Sequence, residues 1–440
     1  MFKKQTILRL FLPVFVETMS VTLLGMVSGV MVSSVGEEAM SAVSIVETFN
    51  AVVMNLFIAI ATGVTVKVSQ YIGNSRPVDA RRVAEQSIFL SVLFSGVLGL
   101  AIILFGKQIL ALLFAGAADG IRTQANSYLI ACAASYASYA LFTTCNSVFR
   151  GVGDYKITLF SGIFINLLHA AGSALLIFVC RLGVLGVGLS LVFCRTVCGL
   201  LNYAILRRGT NKIRIGSMFQ RLQWKIVRAV LFISVPAAID SAVFNGGRLL
   251  VQIFIAQGGT VALAANAVAN GVTGLMQIPA NAVSVLAVTI AGQHFGAHDL
   301  RATRRSIWNT TLFSSALELL ACGCVFLFLD PIIGLYQPTA EVAAQTKDLL
   351  LLMIATIPPL WSFAFVMPAG LRATGDVKYT TTVSVTSMWV IRVFCAWLLA
   401  VQLGMGVMGV WYAMVLDWVV RAAFYIGRTC SHRWERLDRI

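Results

Sequence analysis

The sequence PVFVE at residues 13–17 occurs again, in altered form, as PAAID at residues 236–240. Further along, SQYIG (69–73) matches GQHFG (292–296) at the same offset of 223 positions. A constant offset over such a length is not expected by chance and indicates a duplicated module. Each copy carries an acidic residue four positions after its proline, within an apolar segment.

The composition is that of a membrane protein. Of the 440 residues, 58% are hydrophobic and 12% are charged, a balance that water-soluble domains of this size do not have. Apolar runs of about 20 residues, enough to cross a bilayer as a helix, recur from end to end. We therefore predict an all-α polytopic membrane protein. The twelve predicted spans are 10–34, 42–70, 86–105, 126–148, 157–179, 184–206, 229–256, 262–291, 307–329, 346–369, 379–402 and 407–427.

Basic residues are distributed unevenly between the predicted loops. With a cytoplasmic N-terminus, 24 of the 33 Lys and Arg residues fall on the inner side and 4 on the outer side. Because cytoplasmic loops carry such an excess, we predict a multi-pass protein of the cytoplasmic (inner) membrane with both termini in the cytoplasm. The net charge of +15 then reflects topology next to an anionic lipid bilayer, and no nucleic acid partner is expected.

The chain divides into two halves of similar length. We predict an N-terminal six-helix lobe at 1–206, a basic cytoplasmic linker at 207–228 and a C-terminal six-helix lobe at 229–440. An even number of helices in each half gives the halves the same orientation, related by an axis along the membrane normal. The expected architecture is twelve transmembrane helices in two pseudo-symmetric six-helix bundles around a central cleft, as in transporters that work by alternating access.

Glu17 and Asp240, the acidic residues of the repeated motif, lie within apolar spans. An ionisable residue inside a membrane is costly and is by default a candidate functional residue. Because burial favours the neutral form of a carboxyl group, each could bind and release a proton. Alternatively, each could hold Na⁺ together with nearby oxygens, such as that of Asn245. The structural alternative is that both lie near the inner interface and are solvated or paired with Lys or Arg.

For the other charged residues within the predicted spans, a structural role is an alternative to a functional one. Asp417 and Arg421 are four residues apart on the last helix and are expected to pair, and Arg392 either joins them or caps a neighbouring helix. Glu318 lies deep in the ninth span without an evident partner. Arg248 lies two turns beyond Asp240 and could balance it or Glu47.

Two inner loops echo each other at a slightly different offset. RGVGDYK at 150–156 corresponds to RATGDVK at 372–378, now 222 positions later, so one residue has been lost or gained between the copies. Glycine and aspartate flanked by basic residues predict a compact turn at the membrane surface. A phosphate-binding loop is the alternative, but the pattern matches no known phosphate-binding fingerprint.

Metal and enzyme sites are not expected. The nine cysteines fall almost entirely within predicted spans and have no histidines at metal-ligand spacing, which favours a packing role. The four histidines are scattered. We therefore predict no metal site, no cofactor other than a coupling ion, and no enzymatic activity.

Taken together, these motifs resemble the multidrug and toxic compound extrusion (MATE) family over nearly the whole chain. The resemblance implies twelve helices in two lobes and a monomeric transporter. It also implies export of small organic compounds, usually cations, driven by inward H⁺ or Na⁺. The matching stretches are MVSSVG (31–36), SQYIG (69–73), RGVGDYK (150–156), AANAVAN (264–270), GQHFGA (292–297), RATGDVK (372–378) and GVW (409–411).

One departure from that family bears on the coupling ion. Its members commonly carry Asp-Thr in the first helix, where this chain has Ser28 and Gly29. The usual carboxylate of the N-terminal lobe is therefore missing, and coupling is expected at Glu17, at Asp240 or with a different stoichiometry. The alternatives to a multidrug antiporter are a flippase for lipid-linked oligosaccharides, which would use Arg195, Arg248 and Arg392 to hold a diphosphate, and an exporter of one specific metabolite.

Overall fold

The structure is a computed structural model that describes residues 4–113, 119–210, 212–217, 222–431 and 433–436, and it is helical, without strands, within them. Side chains at 4–9, 24, 26–30, 33, 112–113, 119 and 436 lie outside the description. The α-helices of the described residues are α1 Lys4–Ser33, α2 Glu37–Gly73, α3 Pro77–Leu113, α4 Asp119–Ala134, α5 Tyr136–Val152, α6 Tyr155–Ala174, α7 Gly183–Arg208, α8 Trp224–Ala256, α9 Gly259–Gly296, α10 Leu300–Leu327, α11 Leu329–Gly334, α12 Ala340–Thr356, α13 Ser362–Phe365, α14 Met367–Ala373, α15 Val377–Thr386, α16 Phe394–Ala396 and α17 Gly406–Cys430.

Most of these helices are long and apolar. In the described chain, 10 helical stretches could each cross a membrane, and α4 with α5, bent by 45° where they meet, would make 11. In α1, the apolar stretch Leu10–Leu23 is shorter, and the side chains that the structure does not describe lie before and after it. Each predicted span overlaps a helical stretch, but the number twelve and the two six-helix bundles stay predictions.

Large apolar side chains cover much of the surface. Leu104, Phe160 and Leu320 are examples that lie more than half exposed within the helices. In water, contiguous apolar surface of this kind would promote association. In a bilayer it contacts lipid tails, so the exposed surface agrees with a multi-pass membrane protein.

Several helices contain π-helical turns. These turns lie at Leu175–Val179, Ile357–Trp361, Ser387–Val393 and Trp397–Gln402. Pro358 and Pro359 occupy the second of them and remove two backbone hydrogen-bond donors from the helix. Pro279, in contrast, lies within the continuous helix α9.

The duplication is visible in the backbone. Gly36, just before α2, and Gly259, the first residue of α9, both have a positive φ and are 223 positions apart. Ser75 and His298, which follow the same two helices, also share a left-handed conformation at that offset. In each case the next residue donates its N–H to a carbonyl five positions back, over 2.9 Å for Arg76 and 3.1 Å for Asp299. The chain path is therefore repeated even where the residue type is not glycine.

The position at which the offset between the copies changes can be located in the structure. The offset is 222 positions at Gly153 and Gly375, and 223 again at Gly183 and Gly406. The C-terminal copy therefore contains one more residue in this interval. It also contains the π-helical turn Ser387–Val393, where the N-terminal copy has regular α-helix. A π-turn accommodates an added residue within a helix, so the insertion is absorbed without breaking the span.

Two compact units make up the fold. The N-terminal unit is Leu12–Ala238, and the C-terminal unit comprises Met1–Phe11 and Ile239–Ile440. In the C-terminal unit, α9 packs against α10, α12 and α14. The predicted domain limits at 206 and 229 stay a prediction.

The basic segment after α7 is held against the N-terminal unit. Ile213 and Ile215 are buried in one of its apolar cores. Gly216 donates its N–H to the Glu85 carboxylate over 2.5 Å, and Gln223 donates its N–H to the Gln86 side chain over 3.1 Å. The described part of the predicted linker therefore packs against the first turns of α3.

Glycines allow the helices to approach closely near the starts of α7 and α17. A Cβ on Gly186 would lie 3.0 Å from the side chain of Leu176, and one on Gly409 would lie 2.8 Å from the backbone of Leu399. The two glycines, and likewise the two leucines, correspond to each other at the offset of 223 positions. In each copy the start of the last helix thus packs against the π-helical turn before it.

Close packing at a glycine can be tested by substitution at Gly99, where α3 approaches α4. A Cβ there would lie 2.5 Å from the backbone oxygen of Ala133, whereas a Cβ on Gly96, one turn earlier, would meet nothing within 4 Å. Gly99→Ala should lower the free energy of unfolding by about 1–3 kcal/mol, because the α4 backbone must move. Gly96→Ala should be neutral or stabilising by up to about 1 kcal/mol.

The measurement is unfolding of both variants in mixed detergent and SDS micelles. Equal effects at the two glycines would contradict the packing described for α3 and α4.

Candidate functional site

Glu17 forms a buried ion pair. Its carboxylate lies 2.6 Å from the guanidinium of Arg150, at the end of α5, and the residue is 7% exposed. Gly162 of α6 gives it room, because a Cβ there would lie 3.0 Å from the Glu17 Cγ atom. The second carboxylate oxygen of Glu17 is buried and accepts no hydrogen bond in the described residues.

Asp240 repeats this arrangement in the C-terminal unit. It lies 3.4 Å from the guanidinium of Arg372, with side chains that are 15% and 24% exposed, respectively. Arg372 corresponds to Arg150 at the offset of 222 positions. In each repeat, the acidic residue that follows the proline therefore forms an ion pair with the arginine of the later loop motif, although the two are far apart in sequence. The two arginines were not predicted as partners of the acids, although both recur at nearly the same offset as the acids do.

The arginines are positioned by the predicted compact turns, which are confirmed. Gly153 and Gly375 are left-handed, with φ of 80° and 92°. Each donates its N–H to the carbonyl of the arginine three residues earlier, Arg150 or Arg372. This is the Schellman termination of a helix. A proton or Na⁺ at Glu17 or Asp240 would have to compete with the paired guanidinium, so the pairing agrees with the structural alternative for both acids.

Glu47 of α2 presents a different environment. It is exposed although it lies within an apolar span. Its carboxylate accepts a hydrogen bond from the hydroxyl of Tyr128 over 2.7 Å, and Asn50 Nδ2 lies 3.4 Å from both of its oxygens. Since a carboxylate facing lipid is costly, a group of this kind is expected to face the interior of the bundle or water.

Aromatic rings and one arginine lie in the same part of the N-terminal unit. The Phe57 ring centroid lies 5.6 Å from that of Tyr136 and 6.3 Å from that of Tyr139. Arg195 is 8% exposed, donates to Ser135 over 2.7 Å and lies 4.5 Å from the centroid of Tyr139. Residues of α2, α5 and α7 thus build one cluster of mixed polarity, which no single stretch of sequence shows.

Asp417 is the centre of a charged cluster in the C-terminal unit. Arg421 donates to its carboxylate over 2.9 Å, so the predicted pair is confirmed, and Ser387 also donates to it. Arg392 lies 4.0 Å from the same carboxylate. Arg421 also donates to the hydroxyl and carbonyl of Ser384. Two buried arginines therefore share one buried aspartate.

The remaining predicted residues lie elsewhere on α1 and α8. Arg248 is exposed and close enough to Arg392 for their charges to repel. Asn245 donates to the carbonyl of Ser241 in its own helix over 2.8 Å, so its amide nitrogen is used locally. The side chain of Ser28 lies outside the described residues.

Glu318 has no basic partner in the described residues. It is fully buried on α10, and one of its oxygens lies 2.5 Å from the hydroxyl of Ser362. Its other oxygen has no hydrogen-bond partner. No group of three His, Cys, Asp or Glu side chains in the described chain could hold a metal ion.

Apolar helices in two repeats, each with charged residues inside its spans, are typical of membrane transport proteins. The family model described as MatE matches residues 13–175 and 236–398, two stretches that are again offset by 223 positions. The chain belongs to the multidrug and toxic compound extrusion (MATE) family, whose members are transporters rather than enzymes.

Known relatives and structures are similar over almost their full lengths. The uncharacterised transporter YisQ of Bacillus subtilis is 26% identical, over 96% of this chain and 93% of its own. The probable multidrug resistance protein NorM of Thermotoga maritima is 24% identical, over 98% and 93%. The crystal structure of a mutant of the Vibrio cholerae MATE transporter VcmN shares the fold with a TM-score of 0.89, at 18% identity and covering 97% of each chain.

A double-mutant cycle tests the repeated ion pairs. Glu17→Gln should lower the free energy of unfolding by about 1–3 kcal/mol, because it removes the anion that faces the Arg150 guanidinium. The double variant with Arg150→Gln should lose less than the sum of the two single variants. The same cycle at Asp240 and Arg372 should give a smaller coupling, since that contact is longer, at 3.4 Å against 2.6 Å.

The exposed pair Lys347–Asp330 is the control. Its atoms are 2.8 Å apart, but its side chains are 46% and 74% exposed, so the coupling should be below about 1 kcal/mol. Equal coupling at all three pairs would show that burial of the repeated pairs has no energetic consequence.

Proposed function

We propose that this chain is a secondary active antiporter that exports amphipathic organic compounds with a cationic group, driven by inward H⁺ or Na⁺. It acts by alternating access of its two repeats, as a monomer in the cytoplasmic membrane with both termini in the cytoplasm. The observation that carries the substrate class is Glu47, an exposed carboxylate within an apolar span. The excess of basic residues in the predicted inner loops supports the orientation.

The surroundings of Glu47 suit an organic cation. A hydroxyl and an amide contact the carboxylate and fix its orientation. The partly buried side chains of Met54 and Tyr139, packed on the same apolar core, offer apolar contacts to the rest of such a molecule. Arg195 already covers one face of Tyr139, which limits the local negative charge and favours a single positive group over a dication.

Transport by proteoliposomes tests this proposal. We expect ethidium uptake when either a proton gradient or a Na⁺ gradient is imposed, and the effective gradient identifies the ion. Glu47→Gln should raise KM about tenfold, the loss of about 1.4 kcal/mol of binding, with a smaller effect on the maximal rate. Glu37→Gln is the matched control, because Glu37 is an exposed acid at the start of the same helix.

The outcomes separate the parts of the proposal. Absence of ethidium uptake under both gradients would remove the cation antiporter. Uptake that is equally weakened by Glu37→Gln and Glu47→Gln would remove Glu47 from the substrate site. Asp240→Asn, assayed in parallel, places ion coupling at Asp240 if gradient-driven uptake is lost while ethidium exchange without a gradient persists.

A second candidate function is a flippase for lipid-linked oligosaccharides. It is supported by an excess of guanidinium groups, because Arg392 and Arg421 share Asp417 and the exposed Arg248 lies near Arg392. Guanidinium groups hold diphosphates well. Movement of a fluorescent lipid diphosphate between leaflets, lost in Arg392→Gln, would favour this function over cation export. If neither ethidium nor the lipid diphosphate is transported, export of one specific metabolite remains as the proposed function.

A further inference from the structure

Glu318 belongs to a chain of three fully buried polar side chains in the C-terminal unit. Its Oε2 atom lies 2.5 Å from Ser362 Oγ, which in turn lies 2.7 Å from Ser314 Oγ. Ser314 is one turn before Glu318 on α10, and Ser362 begins α13. All three residues are 0% exposed.

The charged groups on every element packed against α10 are engaged elsewhere or distant. The segments that contact α10 are α9, α11, α12, Ile357–Trp361, α13 and α14. Lys347 pairs with Asp330, and Arg372 pairs with Asp240. Arg305 precedes Glu318 by 13 positions, about 20 Å along the helix. The titratable side chains of all these elements and of α10 itself are His294, Arg301, Arg304, Arg305, Cys322, Cys324, Asp330, Glu341, Lys347, Asp348 and Arg372.

Cys322, one turn after Glu318, is a titratable group close enough to feel the charge of an ionised Glu318. Its thiol is 3.5 Å from the sulfur of Met276, and a thiol supplies no positive charge. No ion pair to Glu318 is present in the described residues, in contrast to Glu17, Asp240 and Asp417. An ionised Glu318 would therefore be a buried anion stabilised by one hydroxyl, which is a costly arrangement.

The hydrogen atoms of the chain allow two arrangements. The Ser362 hydroxyl has one hydrogen and two neighbours, so it can donate to Glu318 or to Ser314 but not to both. If Glu318 is ionised, Ser314 donates to Ser362 and Ser362 donates to Glu318. If Glu318 is protonated, it donates to Ser362, and Ser362 donates to Ser314. The protonated arrangement satisfies the chain and leaves only a neutral carbonyl oxygen unpartnered.

The position of Ser362 depends on an irregular segment. The π-helical turn Ile357–Trp361 immediately precedes it and contains Pro358 and Pro359. Prolines remove backbone donors, and π-turns within α-helices are frequent at functional sites. A shift of this turn would withdraw the hydroxyl that contacts Glu318 and open the carboxyl group to water.

We propose that Glu318 is a proton-binding site of the C-terminal unit. It is neutral in this conformation and releases its proton to water when the Ile357–Trp361 turn moves Ser362 away. The residue 223 positions earlier is Ser95, which donates to the carbonyl of Ser91 over 2.6 Å, so the site exists in one repeat only. Its role as the coupling proton site rests on the antiporter function proposed above, whereas its protonation does not.

Infrared spectroscopy of the protein in lipid vesicles tests the proton itself. Near neutral pH, the wild type should show the carbonyl stretch of a protonated carboxylic acid, and Glu318→Gln should lack it. Glu341→Gln is the matched control, because Glu341 is an exposed acid at the start of α12. An acid band that is unchanged in Glu318→Gln would show that Glu318 is ionised and would overturn the proposal.

Transport tests the coupling role. Glu318→Gln, which keeps the neutral form permanently, should reduce uptake driven by a proton gradient at least about tenfold while retaining substrate exchange without a gradient. Glu341→Gln should behave as the wild type. Gradient-driven uptake that is unchanged in Glu318→Gln would overturn the coupling role. A wild type without gradient-driven uptake would refute the antiporter and with it that role, while the infrared result still decides the proton site.

Discussion

The cost of charge inside an apolar span is the constraint on which the rest of this structure depends. A bilayer offers no water to an ionised group, so each one must be compensated by the protein or lose its charge. Glu17 and Asp240 are compensated by arginines at helix ends. Asp417 is surrounded by guanidinium and hydroxyl groups, Glu47 receives a tyrosine hydroxyl and an amide, and Glu318 has one hydroxyl. We therefore interpret the acids paired with arginines as structural links, and we propose Glu47 and Glu318 as the acids that receive a cation and a proton.

The two repeats share their backbone more completely than their charges. The left-handed turns, the glycine contacts and the repeated acid–arginine pair recur at a nearly constant offset. Glu47, in contrast, corresponds to Asn270, and Glu318 corresponds to Ser95. We interpret the repeated pair as part of the common scaffold and the unshared acids as specialisations. If the chain exchanges two species, as proposed above, its duplicated fold can provide a separate site for each by changing one copy.

The features that the sequence predicts are those with a local or periodic cause. The spans follow from hydrophobicity, the duplication from a constant offset, the turns at Gly153 and Gly375 from residue type, and the Asp417–Arg421 pair from helical spacing. The partners of Glu47 and Glu318 could not be predicted in the same way. Tyr128 and Ser362 reach them from other helices, and those contacts depend on how the helices rotate against one another. The π-turn at Ser387–Val393 could not be predicted from the sequence either. The offsets of 222 and 223 positions on either side of it show only that one residue is inserted between Gly375 and Gly406.

The turns that follow α2 and α9 have a consequence for how such a chain can change. Ser75 and His298 hold the same left-handed conformation without the freedom of glycine, at a cost that the surrounding hydrogen bonds must outweigh. Because the path of the chain is common to both copies at these points, segments exchanged between the copies there would enter and leave with matching direction. Recombination at such junctions would transfer a whole helix, with its polar residues, from one half to the other, and the existing turns would still connect it to its neighbours.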